Sequence, residues 1–303
     1  MTKKAYISSS DKAKLTRKLY VSVNGQAKPV KRAYCSVGGQ AKIFYDTAVV
    51  SYIDDNGYTN NTTVSATERI AVGSHATQRN SKRWYKSDGT EWNFTNDTVS
   101  GDITLYEAVY QTRSSVTFDG SHYVPTDVKL NINSWDQRGA CTPTNIASQR
   151  RTFSVAGNRV IEMYINGSGY WNVGVGNSQS SVQWSAASNK VKAAVNARLS
   201  WRFNLATSST KYFQLWQGSQ SAVWSSVTAV SSAALNSGIN IGYSLFDPDA
   251  SGKPFIGTIE YINFGAGGST DGQFDAYQRI KGGSTVQGFA WNKTHKFYPL
   301  AHI

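Results

Sequence analysis

The first 45 residues of this chain contain three copies of a 14-residue unit, and the second and third copies agree at 7 of 14 positions. A tyrosine, a serine, an alanine and a lysine recur in register. They are Tyr6, Tyr20 and Tyr34; Ser8, Ser22 and Ser36; Ala13, Ala27 and Ala41; and Lys14, Lys28 and Lys42. So short a repeat restricts the fold severely, because one unit is long enough for only one small two-stranded element.

Each copy has a turn dipeptide at its centre: Ser10-Asp11, Asn24-Gly25 and Gly38-Gly39. Asn-Gly and Gly-Gly adopt the positive φ angles that a two-residue hairpin turn requires. The repeat therefore predicts three successive β-hairpins within residues 1–46. Because a single hairpin is marginally stable in water, we expect this segment to dock on a partner. The repeated side chains Tyr6, Tyr20, Tyr34, Lys14, Lys28 and Lys42 are the candidate anchoring residues.

The net charge of +12 is distributed unevenly along the chain. Residues 1–46 carry ten Lys/Arg and two Asp, residues 47–112 have a net charge of −3, and residues 113–303 have a net charge of +7. A basic segment raises the possibility of nucleic-acid binding, but no recognition helix or RNA-binding aromatic motif accompanies the charge. The alternative is that Lys14, Lys28 and Lys42 line a solvated or partner-facing strand, where lysine also blocks unwanted edge pairing, so we do not expect nucleic-acid binding.

The composition is typical of an all-β protein with many turns: aromatic residues make up 13%, charged residues 17%, and glycine is abundant. The two cysteines, Cys35 and Cys141, have no metal-site spacing and form no disulfide framework. The opening sequence MTKKAYISSS has no apolar run of the kind found in signal peptides. No stretch approaches the roughly 20 apolar residues of a membrane span. We therefore expect synthesis in the cytoplasm and no membrane insertion.

Residues 47–112 resemble the internalin B-repeat module. The matching residues are Val50-x-Tyr52, Asn56-Gly57, Trp84-Tyr85, Trp92-x-Phe94 and the closing run from Asp102 to Ala108. The family has Gly before the central aromatic pair, where this chain has Arg83. The resemblance implies a small β-grasp-like spacer without an active site.

Residues 113–303 contain short alternating runs separated by Gly, Ser and Asn, a pattern that predicts a β-sandwich or jelly roll. The runs include 115–119, 151–155, 159–165, 198–205, 211–216, 239–246 and 255–264. The segment resembles the concanavalin-like (laminin-G-like) jelly rolls of bacteriophage structural proteins. The matches are at 118–129, at 253–261 and in the closing motif at 288–299, where Trp291 or Asn292 replaces the family's Asp.

The 14-residue repeat also resembles one that recurs in virion proteins of phages that infect Gram-positive bacteria. Repeat, spacer and jelly roll in this order imply a virion protein of tail or capsid, docked to other virion proteins through residues 1–46. The jelly roll would contact a host cell-surface glycan. Alternatively, the protein is a purely structural accessory or decoration, or a bacterial surface adhesin. Exposed strand edges favour a homo-oligomer, and analogy with phage fibres suggests a trimer.

Glycoside hydrolysis is the enzymatic activity that this fold class can host, and it requires two carboxylates about 5 to 9.5 Å apart. Residues 113–303 contain two glutamates, Glu162 and Glu260, and neither has a second carboxylate at i+2 or i+4. We therefore expect no enzymatic activity.

Asp247, Asp249 and Ser251, followed by Gly252, resemble the start of a calcium loop, since oxygen ligands alternate along the chain. The bidentate Glu that closes such a loop is absent. The alternative is a turn leading into the strand at Phe255. We expect no cofactor, with Ca²⁺ as the one candidate ion.

Two groups of residues are candidates for ligand binding, because aromatic side chains flanked by polar loop residues suit sugar rings. Trp135 and Arg138 lie in one polar stretch, and Tyr170 and Trp171 follow the Asn166 to Gly169 turn. We expect most tryptophans of this segment to be core residues, including Trp201 and Trp216, which lie in alternating runs.

Overall fold

The computed structural model divides the chain into two compact units, Met1–Val109 with Ile280–Thr285, and Tyr110–Arg279 with Val286–Ile303. The structure describes residues 6–9, 12–15, 19–30, 32–37, 39–55, 59–65, 83–94, 96–130, 136–147, 150–156, 159–177, 182–184, 190–205, 212–224, 235–243, 253–266 and 269–303. Within these ranges the chain forms strands and turns and no helix, which confirms the all-β prediction.

The strands of the N-terminal part are β1 (Tyr6–Ser9), β2 (Lys12–Leu15), β3 (Leu19–Val23), β4 (Gln26–Val30), β5 (Arg32–Val37), β6 (Gln40–Ile53), β7 (Thr59–Ser65) and β8 (Ile103–Tyr106). The remaining strands are β9 (Ala108–Thr112), β10 (Val116–Asp119), β11 (His122–Pro125), β12 (Asp136–Pro143), β13 (Arg150–Ala156), β14 (Val160–Ile165), β15 (Trp171–Gly176), β16 (Gln183–Trp184), β17 (Leu199–Asn204), β18 (Tyr212–Gln217), β19 (Gln220–Trp224), β20 (Ile239–Ile241), β21 (Lys253–Pro254), β22 (Ile256–Ala266), β23 (Ser269–Lys281), β24 (Ser284–Trp291), β25 (Lys296–Pro299) and β26 (Ala301–His302).

The three predicted hairpins are confirmed as the antiparallel pairs β1–β2, β3–β4 and β5–β6. In the second hairpin, Val23 pairs with Gln26 across a two-residue turn. Both turn residues have positive φ, 53° at Asn24 and 73° at Gly25. Those angles are typical of a type I′ turn, whose twist matches that of the flanking strands.

The described residues of 47–112 pack around aromatic side chains as a small β-grasp-like module. Strand β6 pairs antiparallel with β7 and parallel with β8, so the first and last strands of the module are neighbours. Tyr52 and Trp84 pack edge to face, with ring centroids 5.0 Å apart. Val50 and Leu105 complete a buried cluster with them, because alternate residues of both strands point to the same side.

The second unit is a β-sandwich of jelly-roll type. One sheet has the strand order β19-β18-β17-β12-β22-β23-β24-β25, with β10 and β9 pairing at β22 and β23. The other has the order β16-β15-β14-β13-β20-β11-β26, with β21 beside β13. We call them the ten-stranded and the eight-stranded sheet. Both contribute side chains to one buried core, Trp201, Phe203 and Phe264 from the first and Phe153 and Ile161 from the second.

Period-two alternation decides which side chains enter that core. Along β17, Leu199, Trp201 and Phe203 are buried in it, whereas Arg202 points away from it. The neighbouring strand leaves room for the indole at Gly139, where an added Cβ would lie 2.1 Å from Cζ2 of Trp201. The outward side of the same sheet is thereby left to polar side chains.

Candidate ligand-binding face

A row of five polar side chains crosses the outward side of the ten-stranded sheet. Arg138 on β12 pairs with Arg202 on β17 and with Asn263 on β22. The row continues from Arg202 to Gln214 on β18, and from Asn263 to Gln273 on β23. We call this row, together with Asp136 and Trp216, the polar sheet face. Long-range strand pairing alone brings these residues together.

Asp136 fixes the two arginines of the polar sheet face. Its carboxylate accepts hydrogen bonds from Nε and Nη2 of Arg202, at 3.3 and 3.0 Å, and from Nη2 of Arg138 at 3.4 Å. The Asp136 side chain is 4% exposed, whereas those of Arg202 and Arg138 are 34% and 47% exposed. The hydrogen bond to Asp136 raises the pKa of Arg202 above its usual value. A buried anion therefore orients two solvent-facing guanidinium groups.

Arg138 is the more available of the two. Arg202 makes two bonds to Asp136, and its guanidinium also lies 5.6 Å from the ring centroid of Tyr212. Within the described part of the chain, Arg138 makes one long bond to the same carboxylate. It can therefore present donors to a bound molecule at little cost to the sheet.

The other end of the row is a chain of amides. Nδ2 of Asn263 donates to Oε1 of Gln273 at 2.9 Å, and Nε2 of Gln273 donates to the carboxylate of Asp275. Trp216 stands at the opposite end of the polar sheet face, two residues beyond Gln214 on β18 and opposite Ser200, and is 37% exposed. A row of planar hydrogen-bonding groups that ends beside an exposed aromatic ring can bind polyhydroxylated molecules.

The outward side of the eight-stranded sheet also carries polar side chains, and those at its centre are buried. Glu162 lies between the core residues Ile161 and Met163 in sequence and is buried. Its Oε2 lies 3.3 Å from Nε of buried Arg151. Glu260, the other candidate carboxylate, pairs with Arg198 at 2.7 Å. Both glutamates therefore occupy ion-paired strand positions.

The residues predicted from sequence to bind a ligand have separate positions in the fold. Arg138 lies in the polar sheet face. Tyr170 is half-buried and forms an isolated bridge with Lys192. The prediction of a surface-exposed Trp171 is wrong: the indole is fully buried, and its Nε1 donates to Oε1 of buried Gln217 at 3.4 Å. Trp171 belongs to the core because it starts β15 in phase with Val173.

Four other candidates, Trp135, Asp247, Asp249 and Ser251, lie outside the described residues. The part of the chain that the structure describes contains no group of three or more His, Cys, Asp or Glu side chains able to hold a metal ion. Nor do the described residues include a helix that is long and apolar enough to cross a membrane.

The candidate anchoring residues occupy equivalent positions in the three hairpins. Tyr6, Tyr20 and Tyr34 lie on the first strands, whereas Lys14, Lys28 and Lys42 lie on the second strands. Tyr20 is 53% exposed, and Lys28 is exposed as well. The second hairpin therefore presents both repeated residue types to solvent.

Sequence reasoning missed most of the polar sheet face. Trp216 was expected in the core, but it alternates with core residues Phe213 and Leu215 and so points to the opposite side of β18. Because Trp216 directly follows the apolar Leu215 in this alternation, the sequence pattern could have shown that Trp216 faces away from the core. Arg202 and Asn263 had no such signal, because they meet Arg138 only through pairing with distant strands.

No protein-family model matches this chain. No curated protein is similar to it in sequence. Among solved structures, it is similar to the native heptameric SAP-like pentraxin from Limulus polyphemus, with 12% identity over 52% of this chain and 75% of that chain and a TM-score of 0.34. It is also similar to the Ruminococcus gnavus IT-sialidase CBM40 bound to alpha2,3 sialyllactose, with 11% identity over 51% of this chain and 90% of that chain and a TM-score of 0.36. A third similar structure is scytalido-glutamic peptidase with a transition state analog inhibitor. It shares 9% identity over 62% of this chain and 100% of that chain, with a TM-score of 0.25. Similarities at this level carry no conclusion about what this chain binds.

Proposed function

We propose that this protein is a phage virion protein that attaches the particle to a host cell-surface glycan through the polar sheet face. The observation that carries the proposal is the row of oriented, solvent-facing donors and acceptors around Arg138 beside the exposed Trp216. The N-terminal hairpins hold the protein on the virion. The sequence resemblance of the repeat and of the jelly roll to phage proteins supports this location.

The chemistry of the polar sheet face suits a glycan better than an apolar ligand. Arg138 donates hydrogen bonds, and the amides of Asn263 and Gln214 can both donate and accept. The indole of Trp216 offers a flat surface for the C–H side of a sugar ring. Since Asp136 holds the guanidinium groups in place, binding orders few additional side chains.

The dimensions of the face favour an extended chain over a small molecule. The row from Gln214 to Gln273 crosses five neighbouring strands. Four strand spacings of about 4.8 Å give a length of about 19 Å. A polysaccharide segment can contact the whole row, and several weak contacts then act together.

The experiment measures how much full-length protein binds to host bacterial cells, and whether purified wall polysaccharide competes. We expect saturable, competed binding by the wild type and at least a tenfold loss for Arg138→Ala and for Trp216→Ala. Lys253→Ala is the matched control, because Lys253 is exposed on β21 of the other sheet. We expect it to bind like the wild type.

If wild-type protein is retained neither by the cells nor by the polysaccharide, the attachment function is wrong. The alternative function then applies: the protein is a purely structural accessory of the tail or capsid and binds no glycan. If the protein binds but the Arg138 and Trp216 variants bind equally well, the glycan site lies elsewhere on the chain.

A further inference from the structure

Each N-terminal hairpin has a strand edge that no described strand covers. The first strands, β1, β3 and β5, each pair on one side with their hairpin partner, and no described strand lies on their other side. An edge of this kind exposes backbone N–H and C=O groups in the geometry that accepts a further strand.

The turn geometry identifies which backbone groups point outward. In a two-residue hairpin, the residues flanking the turn form a hydrogen-bonded pair, here Val23 and Gln26. Hydrogen-bonded and non-hydrogen-bonded pairs then alternate along an antiparallel ladder. The pair of Ser22 and Ala27 is therefore non-hydrogen-bonded, and the N–H groups of both residues point away from the hairpin.

In this hairpin, the outer edge of the second strand, β4, cannot pair fully with a further strand, whereas the outer edge of the first strand, β3, can. Pro29 pairs with Tyr20 two residues beyond Ala27, so its nitrogen also points outward. Proline has no N–H to donate, and this is the position at which a strand tolerates it. Strand β3, with the sequence LYVSV, contains no proline, glycine or charge and keeps its outward N–H groups at Tyr20 and Ser22.

The same edge recurs in all three repeats. Ser8 pairs with Ala13, and Ser36 pairs with Ala41, each one position from the end pair of its ladder, Ser9 with Lys12 or Val37 with Gln40. By the same alternation, the N–H groups of both serines point outward, as does that of Ser22. The shared Tyr-x-Ser pattern therefore marks three equivalent open edges at 14-residue intervals.

The positive charge of residues 1–46 indicates which kind of protein can pair with these edges. Residues 1–46 carry ten Lys/Arg against two Asp, and Lys28 is exposed on the second strand of the hairpin. Two such segments repel each other, which disfavours pairing between the repeats of two copies. An acidic surface is attracted at long range and then held by backbone hydrogen bonds.

We infer that the first strand of each hairpin adds to an exposed β-strand of an acidic virion protein, and that Tyr20 and Ser22, with their equivalents, supply the pairing N–H groups. This inference rests on the proposed docking function of residues 1–46. It goes further in naming the atoms that bind and the chemistry of the partner.

The test compares two triple variants that place proline on opposite edges of the same hairpins. They are Ser8→Pro/Ser22→Pro/Ser36→Pro and Ala13→Pro/Ala27→Pro/Ala41→Pro. Of the backbone hydrogen-bonding groups, both sets remove only outward N–H donors, as Pro29 does naturally, so the hairpin ladders keep their bonds. The measured quantity is full-length protein retained on phage particles that lack it, with circular dichroism as the check on folding.

We expect the serine set to lose at least tenfold in retention and the alanine set to stay within twofold of the wild type. Wild-type retention should fall as NaCl rises from about 0.05 to about 0.5 M, because salt screens the charge attraction. It should survive nuclease treatment.

Three results would overturn the inference. Equal retention of both triple variants would show that the first-strand edge does not bind. Loss of retention after nuclease treatment would show that the partner is nucleic acid. If the wild type self-associates and the serine triple variant does not, the partner is a second copy of this chain. If the wild type does not bind the particles at all, the proposed docking function of residues 1–46 is wrong. That outcome differs from binding that is unchanged in both triple proline variants, which refutes only the strand-edge inference.

Discussion

Replacing Asp136 with alanine should weaken both folding and binding, because one buried carboxylate orients both arginines of the polar sheet face. Of its three hydrogen bonds, the one from Nη2 of Arg202, at 3.0 Å, has normal length, and the others, at 3.3 and 3.4 Å, are long. A hydrogen bond to a charged group contributes about 1.5–3 kcal/mol. Loss of one partner from a fully buried ion pair costs about 3–5 kcal/mol, but water can reach both arginines here.

We therefore expect Asp136→Ala to lower the free energy of unfolding by about 2 kcal/mol. For a unit of this size, that loss corresponds to a decrease in Tm of about 4–8 °C. The assay is thermal unfolding followed by near-ultraviolet circular dichroism, since aromatic residues fill the sandwich core. Affinity for wall polysaccharide should fall about tenfold, equivalent to about 1.4 kcal/mol, because neither guanidinium is held in position.

Arg138→Ala is the matched comparison, because it removes one long hydrogen bond from a half-exposed side chain. It should change the free energy of unfolding by less than about 0.5 kcal/mol while lowering binding at least tenfold. The reasoning is refuted if Asp136→Ala unfolds at the wild-type temperature. It is equally refuted if Arg138→Ala destabilises the sandwich as much as Asp136→Ala does.

Two further predictions concern packing and acid stability. Gly139→Ala should lower the free energy of unfolding in urea by at least about 2 kcal/mol, because its Cβ would overlap buried Trp201. Gly101→Ala, with no atom within 4 Å, should change it by less than about 0.5 kcal/mol, and equal effects would contradict the packing argument. A hydrogen bond from the His122 ring holds the pKa of Asp119 well below its usual range, so its stabilising contribution is present above about pH 4 and is lost as the pH falls further. Asp119→Asn should therefore lose less stability than the wild type between pH 5 and pH 2, as measured by urea unfolding at each pH.

The local parts of the fold could be predicted from the sequence because their causes are local. Asn24-Gly25 specifies a turn by its φ preferences, and the run around Trp201 specifies a strand by its alternation. Each rests on a few consecutive residues. The hairpins and six sandwich strands, namely β10, β13, β14, β17, β18 and β22, were therefore predicted with nearly correct bounds.

The binding face could be predicted only in part, because it depends on which distant strands become neighbours. The sequence pointed to Arg138 but gave no sign that Arg202 and Asn263 would flank it. Trp171 and Trp216 were each assigned to the wrong environment. An aromatic residue in a polar stretch can still start a core strand, and one in an alternating run can be out of phase with the core.

The most direct test of the central claim is hydroxyl-radical footprinting of the full-length protein with and without saturating wall polysaccharide. The account predicts that the polysaccharide slows oxidation of Trp216 several-fold, whereas oxidation of exposed Tyr20, on the hairpin, stays unchanged. Oxidation of Trp216 at an unchanged rate, while the polysaccharide is bound, would contradict the assignment of the polar sheet face as the glycan site.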